Sequence, residues 1–237
     1  GNWPGKTVAN AQGYAVHNGQ GYVFVDIPGS YSLLAHSTEE EVAGDFICSG
    51  VPDVTVVVCG AGCLERNLNL VLQISEVSPK MIVCINLIDE AAAKGIEINF
   101  GRLSDRLGVP VIPMCARNGA GIRELMDSLE TAGSVKYHAD YGETLGRAIE
   151  LTGKKGREAF NIIEKWDDGE PAVTFLKEKG IDRVTAGDMT AAALARAAAE
   201  LAGDTVTYKK SDANAHDRRL DKIFTSRLTG FPVMALL

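Results

Sequence analysis

Three short polar motifs, each closing an apolar run, stand in a fixed order along this chain: Asp26-Ile27-Pro28-Gly29, Asn86-Leu87-Ile88-Asp89 and Cys115-Ala116-Arg117. A carboxylate at a strand end is a hard oxygen donor suited to Mg²⁺. A glycine just beyond it lets a backbone N–H approach a phosphate with no side chain in the way. In Asn-x-x-Asp, the aspartate can accept the paired N1–H and N2–H donors of guanine while the amide meets the N7/O6 side. Adenine lacks that donor pair, so the carboxylate would enforce guanine. A small Cys-Ala turn can offer a backbone N–H to guanine O6. Each motif also has a plain structural reading. Any strand can end in Asp and turn on Pro-Gly, and Asn86 and Asp89 can cap the helix that follows. Open α/β sheets bind ligands at the carboxyl ends of their strands, and three such ends in this order favour a nucleotide site.

The elements that must position these motifs follow from the pattern. Residues 7–17 and 22–26 read as strands joined through Asn18-Gly19, a strong hairpin signal. Thr38 and the acids Glu39, Glu40 and Glu41 open a helix that runs to residue 48. The β-branched run at 54–58 predicts a strand buried on both faces. Helices are expected over 65–77, 90–94, 100–107 and 121–131, with strands at 80–85 and 109–114. Pro110 and Pro113 assign the last strand an outer position. The expectation is a doubly wound α/β domain with one antiparallel hairpin over residues 1–133. Beyond Gly133 no strand signal survives. Helices are expected at 141–151, 157–166, 171–178, 188–201 and 217–226, the fourth of them alanine-rich. An all-α region over 134–215 and a linker over 216–237 complete the reading.

Composition narrows the class. At 46% hydrophobic over 237 residues, the chain can bury a sizeable core. A net charge of −7 without a basic block argues against long nucleic acid as a partner. The five cysteines are scattered and odd in number, which suggests reduced thiols in a cytosolic compartment, not a disulfide frame or zinc site. His17, His36, His138 and His216 are dispersed, and none is assigned to metal. The acids at 39–41 suit the positive end of a helix better than an iron site. There is no apolar run of spanning length. The chain begins on Gly1 and ends in the apolar Leu228–Leu237, and it reads as a fragment of something longer.

The wording around the motifs resembles the intracellular GTPase domain of the ferrous iron transporter FeoB. Gly1-Asn2-Trp3-Pro4-Gly5-Lys6-Thr7-Val8 is similar to that family's switch I, and Asp26-Ile-Pro-Gly-Ser-Tyr-Ser-Leu33 to its switch II. Leu64-Glu-Arg-Asn-Leu-Asn-Leu70 resembles the start of the helix after its third strand, and Leu220–Val233 the segment entering its first membrane helix. Arg66 and Asn67 also fit a solvated helix start, and Trp3 fits either a switch residue or a domain-packing one. The resemblance implies a P-loop GTPase-like (TRAFAC-type) α/β fold, a mostly parallel sheet with one antiparallel hairpin, followed by an all-α helical spacer. It also implies roles. Thr7 and Asp26 would hold Mg²⁺, and Gly5, Lys6, Thr7, Asp26, Ile27, Pro28 and Gly29 would face the phosphates. Asn86, Leu87 and Asp89 would read guanine, with Cys115, Ala116 and Arg117 lining the base. Backbone carbonyls at Gly1 and Trp3 would help hold an activating K⁺. The implied partners are GTP or GDP, the protein's own membrane permease domain, small Feo accessory proteins and a second copy of the chain. The implied place is the cytoplasmic face of a bacterial inner membrane.

The departures matter as well. The Gly-x-x-x-x-Gly-Lys-[Ser/Thr] phosphate loop is absent. In the family it lies just upstream of residue 1 with the first strand, so the sheet is expected to be incomplete and nucleotide binding by the chain alone poor. Leu87 replaces the usual lysine of Asn-Lys-x-Asp, and Ser30 stands where Ras-like enzymes place a water-orienting glutamine. No residue is therefore named as a catalytic base. Two other readings stay open at this point. One is a soluble GTPase of the ribosome-assembly or tRNA-modifying kind. The other is a non-hydrolysing interaction module with a vestigial G domain.

Overall fold

A computed structural model describes residues 11–27, 43–47, 49–154 and 156–209 of the chain. Its centre is β4 (Met81–Asn86), an apolar run whose first five residues are all buried. β3 (Thr55–Gly60) pairs parallel along one edge of β4 and β6 (Val111–Pro113) along the other. β6 is thus an outer strand, where Pro113 costs no ladder bond. β1 (Ala11–His17) and β2 (Gln20–Asp26) form the expected hairpin, with Asn18 and Gly19 at φ 49° and 79°, both left-handed as a tight turn of this kind requires.

Two layers cover the parallel sheet. On one face, Leu68, Val71 and Leu72 of α2 (Leu64–Ser75) meet Val57, Cys59, Met81, Val83 and Ile85. Leu103 and Leu107 of α4 (Phe100–Leu107) join the same core; Asn99 caps α4 through its side chain, and Gly108 ends it in the left-handed region. On the other face, Ile82, Cys84, Ile112 and Met114 pack with Leu125 and Met126 of α5 (Ile122–Ser128). Tyr22 and Phe24 of the hairpin join this second cluster, and His17 Nε2 lies 2.5 Å from Asp127 Oδ1 on α5. Among the described residues no ladder connects β2 to β3.

Burial corrects one expectation. The run at 54–58 is not buried on both faces: Val58 is 61% exposed, although Val57 and Cys59 beside it are buried. β3 is an edge of the three-stranded sheet; α2 covers its Val57 side, while on the other Val54 and Val56 pack partly against the second cluster and Val58 is left exposed. Cys59, Cys63, Cys84 and Cys115 are free. Burial pushes the Cys59 thiol up to about 12 and Cys84 up to about 11, so both stay neutral.

The region beyond residue 133 differs from expectation in two ways. A strand is present: β7 (Val206–Tyr208) pairs antiparallel with β5 (Ile96–Ile98), and neither was expected, since three residues are too few to show alternation. The alanine-rich helix is also longer than expected. α9 spans Arg183–Thr205, capped by the Asp182 carboxylate, which accepts from Thr185 N at 2.8 Å. Its second half, including Leu194, Ala198 and Leu201, lies in the same core as α2 and the sheet. Alanines permit this, because a helix with small side chains approaches its neighbour closely. Arg106 ties α4 to α9 by pairing with Asp204 and, at 2.6 Å, with Glu200. The remaining helices, α6 (Gly142–Leu151), α7 (Gly156–Lys165) and α8 (Pro171–Glu178), build a second core around Leu145, Ile163, Leu176 and Ala186. Residues 43–47, here α1, are helical; the rest of the helix expected at 38–48 and all of that at 217–226 fall outside the described residues.

The two cores meet at Tyr141, which packs against both beside Glu76, just past the end of α2. Tyr141 Oη donates to Glu76 Oε1 at 3.5 Å, and His138 Nδ1 lies 3.9 Å from the same oxygen. Burial raises the Glu76 pKa above its ordinary value, against the opposing pull of His138 and Tyr141. A raised pKa means the folded protein holds a proton that the unfolded chain releases. The resulting stabilisation is complete below the ordinary glutamate pKa and is lost as pH rises through the folded value. Glu76→Gln should therefore be more stable than the parent at neutral pH and equal to it in acid. Urea unfolding across pH 4 to 7 checks this; parallel curves for the two proteins would contradict it.

Candidate functional site

β4 and β6 carry the second and third motifs to neighbouring positions at the carboxyl edge of the sheet. Asn86 is the last residue of β4. Its side-chain Oδ1 accepts the Ala116 N–H at 3.0 Å, so the amide ties the two strand ends together. The chain then turns through Leu87, which adopts φ 62°, ψ 34° and leaves its side chain 42% exposed. A left-handed leucine is uncommon; such strained positions cluster at functional sites. It throws the chain directly into α3 (Ile88–Ala93) and places Asp89 in the first helical turn.

The Asp89 carboxylate faces the 115–118 turn. Arg117 Nη2 donates to Oδ2 at 2.7 Å. The side chain is 36% exposed, yet Oδ1 is closed to solvent. Burial works to raise the Asp89 pKa, but the Cys115 thiol, the Glu90 N–H and the Arg117 charge outweigh it and hold the carboxyl below its ordinary value. The group is thus an ionised acceptor with capacity to spare.

Sequence reading missed what shapes the turn. Cys115 N–H donates to Ala120 O at 3.0 Å, and the Asn118 side chain accepts from Ala120 N at 3.0 Å. Gly119 and Gly121 sit at φ 81° and 86°. A Cβ on Gly121 would run into the Pro113 carbonyl and lie 2.7 Å from Met114 Cγ. The signal was Asn118-Gly-Ala-Gly121, a cluster of turn residues directly after the motif. Gly121→Ala should cost about 2 kcal/mol from the left-handed backbone and this collision together. Thermal unfolding measures it; an unchanged midpoint would contradict the packing.

Neither N–H of the Cys115-Ala116 pair is free in this arrangement, one serving Ala120 and the other Asn86. Asp26 lies exposed at the end of β2, opposite Ala11, and Ile27 packs against the main core. Its carboxylate has the oxygen chemistry Mg²⁺ takes, and its strand-end position suits a phosphate-side ligand. Gly1, Trp3, Gly5, Lys6, Thr7, Pro28 and Gly29 fall outside the described residues, so the structure brings together the base-side residues only. Among the described residues no group of three or more His, Cys, Asp or Glu side chains is placed to hold a metal ion. No described helix is long and apolar enough to cross a membrane.

Comparison with known proteins follows the same lines. Residues 1–129 match the family described as ferrous iron transport protein B. The Fe(2+) transporter FeoB of Staphylococcus aureus strain COL is 26% identical over 98% of this chain, which spans 39% of that protein's length. The FeoB of Escherichia coli K12 is 40% identical over 129 residues, 53% of this chain and 17% of that protein. The cytosolic domain of the T. maritima FeoB iron transporter in its GMPPNP form superimposes with a TM-score of 0.73 at 25% identity, covering 87% of this chain and 88% of that one. The cytosolic domain of L. pneumophila FeoB gives 0.73 at 26% identity, covering 87% of this chain and 89% of that one. The α/β fold with its parallel sheet and antiparallel hairpin is that of the P-loop GTPase-type G domains in these proteins, and the chain belongs to the ferrous iron transport protein B family as part of its N-terminal G-domain region.

Proposed function

We propose that this chain is the guanine-nucleotide-binding part of a ferrous iron membrane transporter, and that in the full-length protein it hydrolyses GTP to regulate iron passage. The observation that carries this reading is the base-side arrangement. Asn86 fixes the 115–118 turn, and Asp89 presents an ionised carboxylate beside it. That is the acceptor pair a guanine edge requires and an adenine edge cannot use. Relatives solved in GMPPNP and GDP forms support the choice of ligand.

In this proposal Asp89 reads N1–H and N2–H, Asn86 holds the wall on the O6 side, and Leu87 covers a face of the base. Cys115, Ala116 and the backbone of Arg117 line the other side. Asp26 and Thr7 hold Mg²⁺, which when bound neutralises charge on the phosphate oxygens. Gly5, Lys6, Ile27, Pro28 and the Gly29 N–H sense the terminal phosphate, and carbonyls at Gly1 and Trp3 hold K⁺. The helices after residue 134 act as a spacer toward the permease domain at the cytoplasmic face of the membrane, and accessory Feo proteins or a second copy dock on the same cytosolic part. Ordering and release of the two phosphate-sensing segments with hydrolysis would supply the switch.

Competition binding on the full-length protein tests this reading. GDP should displace a fluorescent guanine nucleotide at micromolar concentration, and ADP should not displace it at a hundredfold excess. Equal displacement by the two would remove the guanine assignment.

A further inference from the structure

We propose that Arg117 is a built-in competitor for the base: its guanidinium occupies the acceptor on Asp89 that the base must use, and guanine binds by displacing it. The inference rests on the guanine reading above and adds a competitor to it.

The geometry carries the argument. The Arg117 guanidinium is a planar fork of N–H donors, and Nη2 sits 2.7 Å from Asp89 Oδ2. A guanine edge presents the same chemistry, two N–H donors side by side in one plane. Arg117 therefore satisfies the carboxylate in the way the ligand would. The second oxygen, Oδ1, is closed to solvent, which leaves Oδ2, the oxygen Arg117 holds, as the accessible acceptor. A guanine donor can reach Oδ2 only if the guanidinium gives way.

Arg117 is built to do so. Its side chain is 79% exposed, and Asp89 is its only ion-pair partner among the described residues. Its backbone is held independently, because the preceding Ala116 N–H is fixed on Asn86 and Asn118 N–H donates to Cys115 O at 3.1 Å. The side chain can swing into solvent while the turn stays in place. The exchange is also electrostatically graded: an exposed pair of this kind is worth little and is screened by salt. The competitor delays and weakens base binding without blocking it, and it keeps the Asp89 carboxylate paired when no nucleotide is present.

Stopped-flow binding of methylanthraniloyl-GDP to the full-length protein tests the proposal. Arg117→Ala should bind about three- to fivefold tighter, through faster association with unchanged dissociation. Arg117→Lys, which keeps the charge but not the fork, should fall between. Raising salt from 50 to 500 mM should narrow the gap between Arg117→Ala and the parent, because salt weakens the competitor only where it exists. A merely structural role would instead speed dissociation and leave no salt-dependent difference. Weaker binding or faster dissociation in Arg117→Ala would overturn the proposal and make Arg117 a contact of the bound base. Unchanged kinetics would overturn it as well. A parent protein that fails to prefer GDP over ADP would instead overturn the guanine reading, so the two failures are distinct.

Discussion

Asp89→Asn should weaken GDP binding by about 100-fold and convert the base preference from guanine to xanthine. The carboxylate offers only acceptors, and guanine offers two donors at that edge. An asparagine places an NH₂ where one acceptor stood, so one hydrogen bond is lost and a donor faces a donor. Xanthine carries a carbonyl in place of the guanine amino group, and the new amide complements it. The substitution also breaks the Arg117 ion pair, which frees the guanidinium but restores nothing to guanine. Asp89 sits in the first turn of α3, where its carboxylate also meets the Glu90 N–H, and an asparagine side-chain oxygen can still accept that bond. Stability should therefore change little, and the loss of affinity is attributable to the base. Parallel titrations with GDP and xanthosine diphosphate measure the effect. GDP affinity within a factor of three of the parent would contradict it.

Leu201→Ala should destabilise the whole described body by about 3 kcal/mol. Leu201 is fully buried near the end of α9, in the core that contains Leu68, Val71 and Leu72 of α2 and the strands β3 and β4. Removing its side chain leaves a cavity that the sheet and α2 cannot close without losing their own contacts. The region around it is rigidly tied. Asn99 N–H donates to Thr205 O at 2.8 Å, β7 pairs with β5, and Lys209 Nζ lies 2.5 Å from Glu97 Oε1. The cost should appear as one cooperative shift of the denaturant midpoint, read both at Trp166 and in far-UV circular dichroism. A sheet transition left where it is in the parent would show that α9 is not part of the central core.

Much of this was legible because single elements declare themselves. β4 is an unbroken apolar run, Asn18-Gly19 forces a hairpin, and the 100–107 helix carries both its cap and its stop, Asn99 and Gly108. The base-side motifs were readable because each closes such a run. What escaped has physical reasons. β5 and β7 are three residues each and pair over a separation of about a hundred positions, so neither shows a period or a partner in its own neighbourhood. The partner of α9 could not be read, since alanine packs equally well against many surfaces. Val58 was expected inside because β-branched residues signal a strand but not what lies over its face. The Arg117–Asp89 pair joins two motifs that sequence spacing treats as independent.

A crystal structure of the full-length protein with GDP is the most direct test. The account predicts the guanine N1 and N2 edge within hydrogen-bond distance of the Asp89 carboxylate, with the Asn86–Ala116 bond kept and Arg117 moved off it. GDP bound with its base away from the β4–α3 junction, or Arg117 still seated on Asp89 with guanine in place, would contradict it.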